Sequence, residues 1–326
     1  MKSAIVCHGD CDGIISAFIY IKHYLMDWYP SKVDIVFTQP WRAHIDAAKP
    51  EYPLAELGVL DLALSREFID FLVSVRDKVG KAVVIDHHVS SRDFVEELRR
   101  HDSFKVIWAK AQSTPRLMKE VLKPVMNPYE EFLVDVADIC EGGRATSEDA
   151  ARVADIIKLS IARDPGDVDF MKHMIDSMLR GVDLRKDEEV VSRAKIAKFL
   201  LNTLLRKMSD KAIDMYGVKI VALDLAESRI FAGLLGIAST EFAKASRSDV
   251  VLIRKEEEKV VVTARSLSDR ALRLVRRLAE VTSGRYGGHP EAASATLPDI
   301  SLEEAVRIVV EVAKVVRAGD RRRRTG

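Results

Sequence analysis

Three apolar runs in the first third of this 326-residue chain end on carboxylates and imidazoles. Ala4-Ile5-Val6-Cys7 leads into His8, Asp10 and Asp12; Gly58-Val59-Leu60 stops on Asp61; Ala82-Val83-Val84-Ile85 stops on Asp86, His87 and His88. If each run is a strand of one parallel sheet, these side chains converge at its carboxyl edge, where open α/β sheets bind ligands. Mixed carboxylate and imidazole donors suit Mn²⁺, Fe²⁺ or Zn²⁺ better than Ca²⁺. So many carboxylates in one crevice would repel one another unless cations lay among them. The chemistry this spacing points to is therefore a two-metal hydrolase centre. A plainer reading stands beside it, because Asp10 and Asp12 before Gly13 also suit a turn and a helix cap. Their recurrence with Asp61 and the 86–88 triplet favours the metal.

The elements that would hold such a centre can be read around it. From Ser3 to about Asp138, strand-like stretches (Ser3–Cys7, Val33–Phe37, Gly58–Asp61, Ala82–Asp86, Lys105–Ala109) alternate with helix-spaced apolar residues, as in Ile14–Trp28 and Arg66–Val79. This alternation predicts βαβ architecture around a parallel sheet. From Ser147 to Met208 the pattern turns helical and dense in charge, which predicts a connector. Strands resume at Val218–Leu223, Asp249–Arg254 and Lys259–Arg265, with helices at Asp269–Val281 and Leu302–Arg317. The expected organisation is a catalytic α/β unit over 1–145, a helical connector over 146–212 and a smaller α/β unit over 213–326. The active-site cleft is expected between the domains.

Composition narrows the setting. Lys plus Arg number 51 against 50 Asp plus Glu, a net charge of +1, so bulk charge says little about nucleic acid and only local patches could. No stretch reaches membrane-span length and the N-terminus lacks a signal-peptide pattern, which predicts a cytoplasmic protein. Three cysteines, an odd number, argue against a disulfide framework. Cys7, Cys11 and Cys140 read as small apolar fillers, since a zinc site needs about four converging ligands. The chain has only Asn127, Asn202, Gln39 and Gln112 as amides beside abundant Glu, Lys and Arg, the bias of hyperthermophile proteins. Arg321 to Arg324 form a basic tail, expected to be a disordered solubilising end, with electrostatic contact to a nucleic-acid backbone as the alternative.

His8-Gly9-Asp10-Cys11-Asp12-Gly13, then Asp61, then Asp86-His87-His88, resemble the first three motifs of the DHH phosphoesterase superfamily. Ser283-Gly284-Arg285-Tyr286-Gly287-Gly288-His289 is similar to the glycine-histidine motif of the accessory domain DHHA1, and Val262-Thr263-Ala264-Arg265-Ser266 resembles a strand of that domain bearing an arginine. The resemblance implies a DHH unit followed by a DHHA1 unit, from a thermophilic archaeon, with two divalent cations, Mn²⁺ first and Mg²⁺ or Co²⁺ as substitutes. By it, His8, Asp10 and Asp61 would hold one cation. Asp12, Asp61, His87 and a fourth-motif aspartate would hold the other, with Asp86 orienting the motif or binding at long range. For that fourth motif, Phe132 to Ile139 offers Asp138, preferred because an apolar run leads into it, and Asp135. The motif's usual glycine and threonine neighbours are missing there.

Other residues take roles from the same resemblance. His88 would face the substrate phosphate, and His88 and Arg265 would stabilise its developing charge. Arg285, Tyr286, Gly287, Gly288 and His289 would hold the nucleotide: the glycines expose backbone amides to an anion, and Tyr286 stacks on a base or packs as a hinge aromatic. Ser113, in Gln112-Ser113-Thr114, is expected to cap a helix, with phosphate contact as the alternative. His23, His44, His101 and His173 fall in no motif.

The implied activity is a metal-dependent phosphodiesterase or exonuclease for short single-stranded oligonucleotides or small nucleotides, with a two-metal-activated water and no side-chain nucleophile. Alternatives are a RecJ-like replication or repair component that cuts or scaffolds single-stranded DNA, a cyclic-dinucleotide or 3′-phosphoadenosine 5′-phosphate hydrolase, and a pyrophosphatase. No membrane is implied, and a homodimer or replication and repair partners are compatible with it.

Overall fold

The computed structural model describes residues 1–324, with side chains through Ala318. It divides into two compact units, Met1–Lys195 and the residues from Ile196 onward.

In the first unit, β1 (Lys2–His8), β2 (Val33–Thr38), β3 (Leu54–Leu60), β4 (Val79–Asp86) and β5 (Phe104–Trp108) form a five-stranded sheet in the order β2-β1-β3-β4-β5. Every pairing is parallel. The register sets His8 beside Thr38, Cys7 beside Leu60, Leu60 beside Ile85 and Asp86 beside Trp108, so the strand ends are aligned. Alternate residues face opposite sides, and both sides are covered. Ile5, Cys7, Leu60 and Ile85 pack with α1 (Cys11–Tyr20), α6 (Pro128–Cys140), α7 (Glu148–Arg163) and α8 (Val168–Leu179). Ala4, Val6, Val59 and Val84 face α3 (Arg66–Val75) and α4 (Arg92–Arg99), with α2 (Ala43–Asp46) at the same core. Ile5 and Ile85 are wholly buried, each stabilising the sheet by roughly 1.5–3 kcal/mol. This double burial is why the strands read as unbroken apolar runs. A short helix, α5 (Thr114–Leu117), starts after β5.

The helices expected as a connector divide at the unit boundary. Val153, Ile157, Phe170 and Met174 of α7 and α8 lie in the same core as α1. Their polar faces carry the charge that makes the segment look like a linker, while their apolar stripes are buried. The boundary falls within α9 (Glu188–Lys211).

The second unit has a six-stranded sheet in the order β10-β11-β9-β8-β7-β6, where β7 and β8 are parallel and the other pairs antiparallel. Its strands are β6 (Ile213–Met215), β7 (Val218–Leu223), β8 (Asp249–Lys255), β9 (Val260–Arg265), β10 (Arg285–Gly288) and β11 (Ala292–Leu297). Between β7 and β8 lie α10 (Leu225–Ile230) and α11 (Leu235–Ser246). Leu274, Leu278, Val309 and Val312 of α12 (Ala271–Thr282) and α13 (Leu302–Arg324) cover Val251, Ile253, Val262 and Ala295. The Arg321–Arg324 run, expected as a tail, continues the backbone of α13, and its side chains lie outside the described residues. Among the described residues no helix is long and apolar enough to cross a membrane.

Candidate metal centre

The carboxyl edge of the first sheet collects the side chains that the sequence singled out. β1 ends at His8, and α1 starts so close to it that a Cβ on Gly13 would lie 2.1 Å from the His8 carbonyl oxygen. Only glycine permits that approach, and it holds the 8–12 loop over the strand end. Asp10 is the N-cap of α1 and accepts from the Gly13 amide at 3.0 Å. Its other oxygen lies 2.9 Å from His8 Nδ1, while Gln39 is 3.1 Å from His8 Nε2. Asp10 is thus both the cap and a member of the cluster.

Asp12 is buried in the first turn of α1, accepting from Ser16 Oγ at 3.2 Å and from the Thr114 amide at 3.0 Å. Asp61 follows β3 with φ +55°, a left-handed conformation that aspartate tolerates better than most residues and that is common at functional sites. It is buried, accepts from Thr114 Oγ1 at 3.2 Å, and lies 3.7 Å from His8 and 3.5 Å from His87.

His87 Nδ1 is 3.2 Å from the Ala111 carbonyl, to which it can only donate. That bond leaves Nε2 as the nitrogen that faces Asp12 (3.6 Å) and Asp61 (3.5 Å) and that can give up its proton to a cation. Nε2 is buried with no hydrogen-bond partner. A ring fixed by a carbonyl through one nitrogen, with the other bare among carboxylates, is the arrangement of a metal-ligating histidine.

Asp86 has a different place. One oxygen is 2.6 Å from His88 Nδ1 and the other accepts from Ser91 Oγ. It orients His88, whose ring is half-buried 4.0 Å from Asp61. Trp108 Nε1 holds the His88 carbonyl at 2.8 Å.

Three sets of donor atoms lie close enough to share a cation: His8, Asp10 and Asp61; Asp61, His87 and His88; Asp12, His87 and Glu141. The structure does not bring Asp138 into any of them. Its oxygens take Ser113 Oγ (2.6 Å), Arg116 Nε (2.9 Å) and Arg116 Nη2 (2.6 Å), and Asp135 pairs with the same arginine at 2.7 Å. Ser113 is the N-cap of α5. Sequence reasoning missed Glu141, and it named Thr114 only as part of the Gln112-Ser113-Thr114 turn, not as a partner of Asp12 and Asp61. Glu141 lies just past the window read as the fourth motif, and its signal was the Gly142-Gly143 pair, which stops α6 with Gly142 at φ +80°.

Electrostatics agree with this geometry. Burial opposes protonation of His8, but Asp10 and Asp61 outweigh it and push its pKa up to about 11. His87 is pushed up to about 9 in the same way, burial being outweighed chiefly by Asp61 and the Ala111 carbonyl. Burial, then the charges of Asp61 and Asp10, raises Asp12 well above the usual carboxylate range. Glu141 reaches solvent, yet desolvation at the rim and the charges of Asp10 and Asp61 push it up to about 7. Protons are standing in for missing positive charge, which divalent cations would supply.

The second unit's expected residues lie on its sheet. Arg265 ends β9 half-buried, donating to Thr240 Oγ1 at 3.0 Å and to the Ala264 carbonyl at 3.1 Å. It has no carboxylate partner among the described residues, and burial lowers its pKa. Arg285, Tyr286, Gly287 and Gly288 form the exposed edge strand β10, and His289 begins the turn into β11.

Residues 216–315 match the DHHA1 domain family. Among solved structures, the chain is similar to the pGpG-specific phosphodiesterase PggH from Vibrio cholerae, at 16% identity and TM-score 0.63 over 98% of this chain and 99% of that one. RecJ from Thermus thermophilus in complex with Mn²⁺ matches at 15% identity and TM-score 0.62 over 96% of this chain, which spans 52% of RecJ. This chain has the fold of the DHH superfamily, with a DHHA1 domain in its second unit. An exopolyphosphatase-related protein from Bacteroides fragilis matches at 16% identity and TM-score 0.54, covering 97% of this chain and 93% of that one. No curated protein matches the sequence. In this DHH fold, the 8–13, 61 and 86–88 motifs meet at the edge of the first sheet.

Proposed function

We propose that this protein is a Mn²⁺-dependent phosphodiesterase that hydrolyses short single-stranded oligonucleotides or small nucleotides. The observation that carries the reading is the buried, unpartnered His87 Nε2 facing Asp12 and Asp61, in a cluster whose carboxylates bond to histidines and neutral donors rather than to lysine or arginine among the described residues. Two divalent cations bound there would acidify a water and neutralise phosphoryl charge.

The protein's own groups set up the rest. His8, Asp10 and Asp61 would hold one cation, and Asp12, Asp61 and His87 the other. Thr114 fixes Asp12 and Asp61 through its amide and hydroxyl. Asp86 and Ser91 fix His88, whose Nδ1 bond to Asp86 leaves Nε2 for a phosphoryl oxygen or a leaving group. In the second unit, Arg265 is a half-buried guanidinium without an acid, which suits a phosphate. Arg285, Tyr286, Gly287, Gly288 and His289 offer an exposed strand for a nucleotide. The likeness to a pGpG-specific phosphodiesterase over 98% of the chain supports a substrate of a few nucleotides.

A scaffold acting with replication or repair partners is the second reading, favoured by the Arg116–Asp138 pair that occupies an expected ligand. Mn²⁺-dependent hydrolysis of end-labelled RNA and DNA strands, short against long, separates the two. Release of mononucleotides from short strands, lost in His87→Ala, is the expected result. A metal-free chain that hydrolyses nothing would leave the scaffold.

A further inference from the structure

We propose that Glu141, anchored by a Cys11–Cys140 disulfide, is the carboxylate that completes the second cation position, in place of the aspartate at 138. This rests on the two-cation reading above.

Asp138 is not available for the role. Both its oxygens are engaged, one by Ser113 Oγ at 2.6 Å and the other by two nitrogens of Arg116 at 2.9 and 2.6 Å. A cation would have to displace a guanidinium that Asp135 also holds. The carboxylate of Glu141, one turn further on at the C-cap of α6, makes no hydrogen bond or ion pair among the described residues. One of its oxygens, an Asp12 oxygen and a His87 nitrogen all lie within 4.8 Å of one another. The His87 nitrogen facing Asp12 is the buried one without a partner, so this corner has a bare donor as well as acids.

The local sequence explains why a glutamate stands there. Gly142 turns the chain left-handed directly after Glu141, which is the C-cap of α6. The disulfide then fixes that end. Cys11 lies between Asp10 and Asp12 in the first turn of α1, Cys140 is the last residue of α6, and their Cα atoms are 6.3 Å apart. One bond thus ties the residue before Glu141 to the residue before Asp12, across 129 positions of sequence. The pair are positioning residues, holding two ligands side by side without touching the cation.

Calorimetric titration of the full chain with Mn²⁺ in the absence of substrate tests this, with circular dichroism to confirm folding. Wild type should take up two cations. Glu141→Gln should keep one and weaken the other by more than the ~10–100-fold typical of a lost outer partner. Asp138→Asn should retain both, and Cys140→Ser should weaken the same cation by about tenfold. Glu141→Asp, which keeps the charge, should recover part of the loss. If wild type and Glu141→Gln bind two cations equally, or if Asp138→Asn loses one while Glu141→Gln does not, this inference is overturned alone. If wild type binds none, the two-cation reading falls and this inference with it.

Discussion

The two sheets treat buried acid in opposite ways. In the second unit, Asp249 is buried at the start of β8, and Arg270 Nε donates to it at 2.8 Å. Glu227 is held by Lys207 at 2.7 Å and Lys211 at 2.6 Å while closing a capping box with Asp224. At the edge of the first sheet, Asp12, Asp61 and Asp86 are at least as buried, but histidines and neutral donors surround them. A buried charge with a good partner can be tolerated at little net cost, whereas one without costs several kcal/mol unless something else supplies the charge. On the function proposed above, the contrast separates acids that hold the fold from acids kept for a cation. It recurs within one helix, where Asp138 is matched by Arg116 and Glu141 is not.

Asp61→Ala is expected to produce the largest effect. It should abolish Mn²⁺-dependent hydrolysis by at least ~10³-fold, in the range of losing a strong transition-state contact. The metal-free variant should fold and melt only slightly lower than wild type, since relief of repulsion with Asp12 offsets the loss of a partner for His8 and His87 and the strain of alanine at a left-handed position. A variant that melts far lower would place Asp61 with the structural acids.

Next in size is the response to cation and pH. In the metal-free protein His8 and His87 are raised from 6.5 to about 11 and about 9. Their contribution to stability is therefore fully present below about pH 6.5, and is lost as pH rises through about 9 for His87 and about 11 for His8. A bound cation must displace those protons, so Mn²⁺ affinity should rise with pH. Calorimetry at neutral pH in buffers of different ionisation enthalpy should report proton release. An enthalpy independent of buffer would contradict this.

Glu227→Gln tests the other side of the comparison. It should lower stability by about 1 kcal/mol with cation binding unchanged. Glu227 is lowered from 4.5 to about 2: burial opposes this, and Lys207 and Lys211 outweigh it. Its contribution is present above about pH 4.5 and lost as pH falls through about 2, opposite in sign to the histidines. Thermal melts against pH check both. The smallest effect belongs to the exposed fork of Arg66 on Glu97, at 2.8 and 2.9 Å. Arg66→Ala should leave the melting temperature where it is, since such pairs are solvated and screened.

Much of the first unit was legible because its strands are apolar throughout and three of them end on acids and histidines. The expected Val33–Phe37, Ala82–Asp86 and Lys105–Ala109 strands differ from β2, β4 and β5 by no more than a few residues at an end. In the second unit, β7 appears where Val218–Leu223 was expected. The β10–β11 hairpin was not read as strands, since Arg285 to Gly288 are exposed and carry no apolar alternation. The disulfide overturns the reading of Cys11 and Cys140 as apolar fillers, because a pairing across 129 positions leaves no local trace.

The sequence by itself determined the parallel sheet, the DHHA1 unit and the approach of His8, Asp10, Asp12, Asp61 and His87. Strand period and parallel register turn residue order directly into proximity at one edge. Only the tertiary structure decided which acid in α6 is spent on Arg116 and which stands beside Asp12. Asp135, Asp138 and Glu141 are spaced one turn apart and are equivalent in pattern. What distinguishes them is what α1, α5 and the β4 loop place opposite each, and those contacts come from distant parts of the chain.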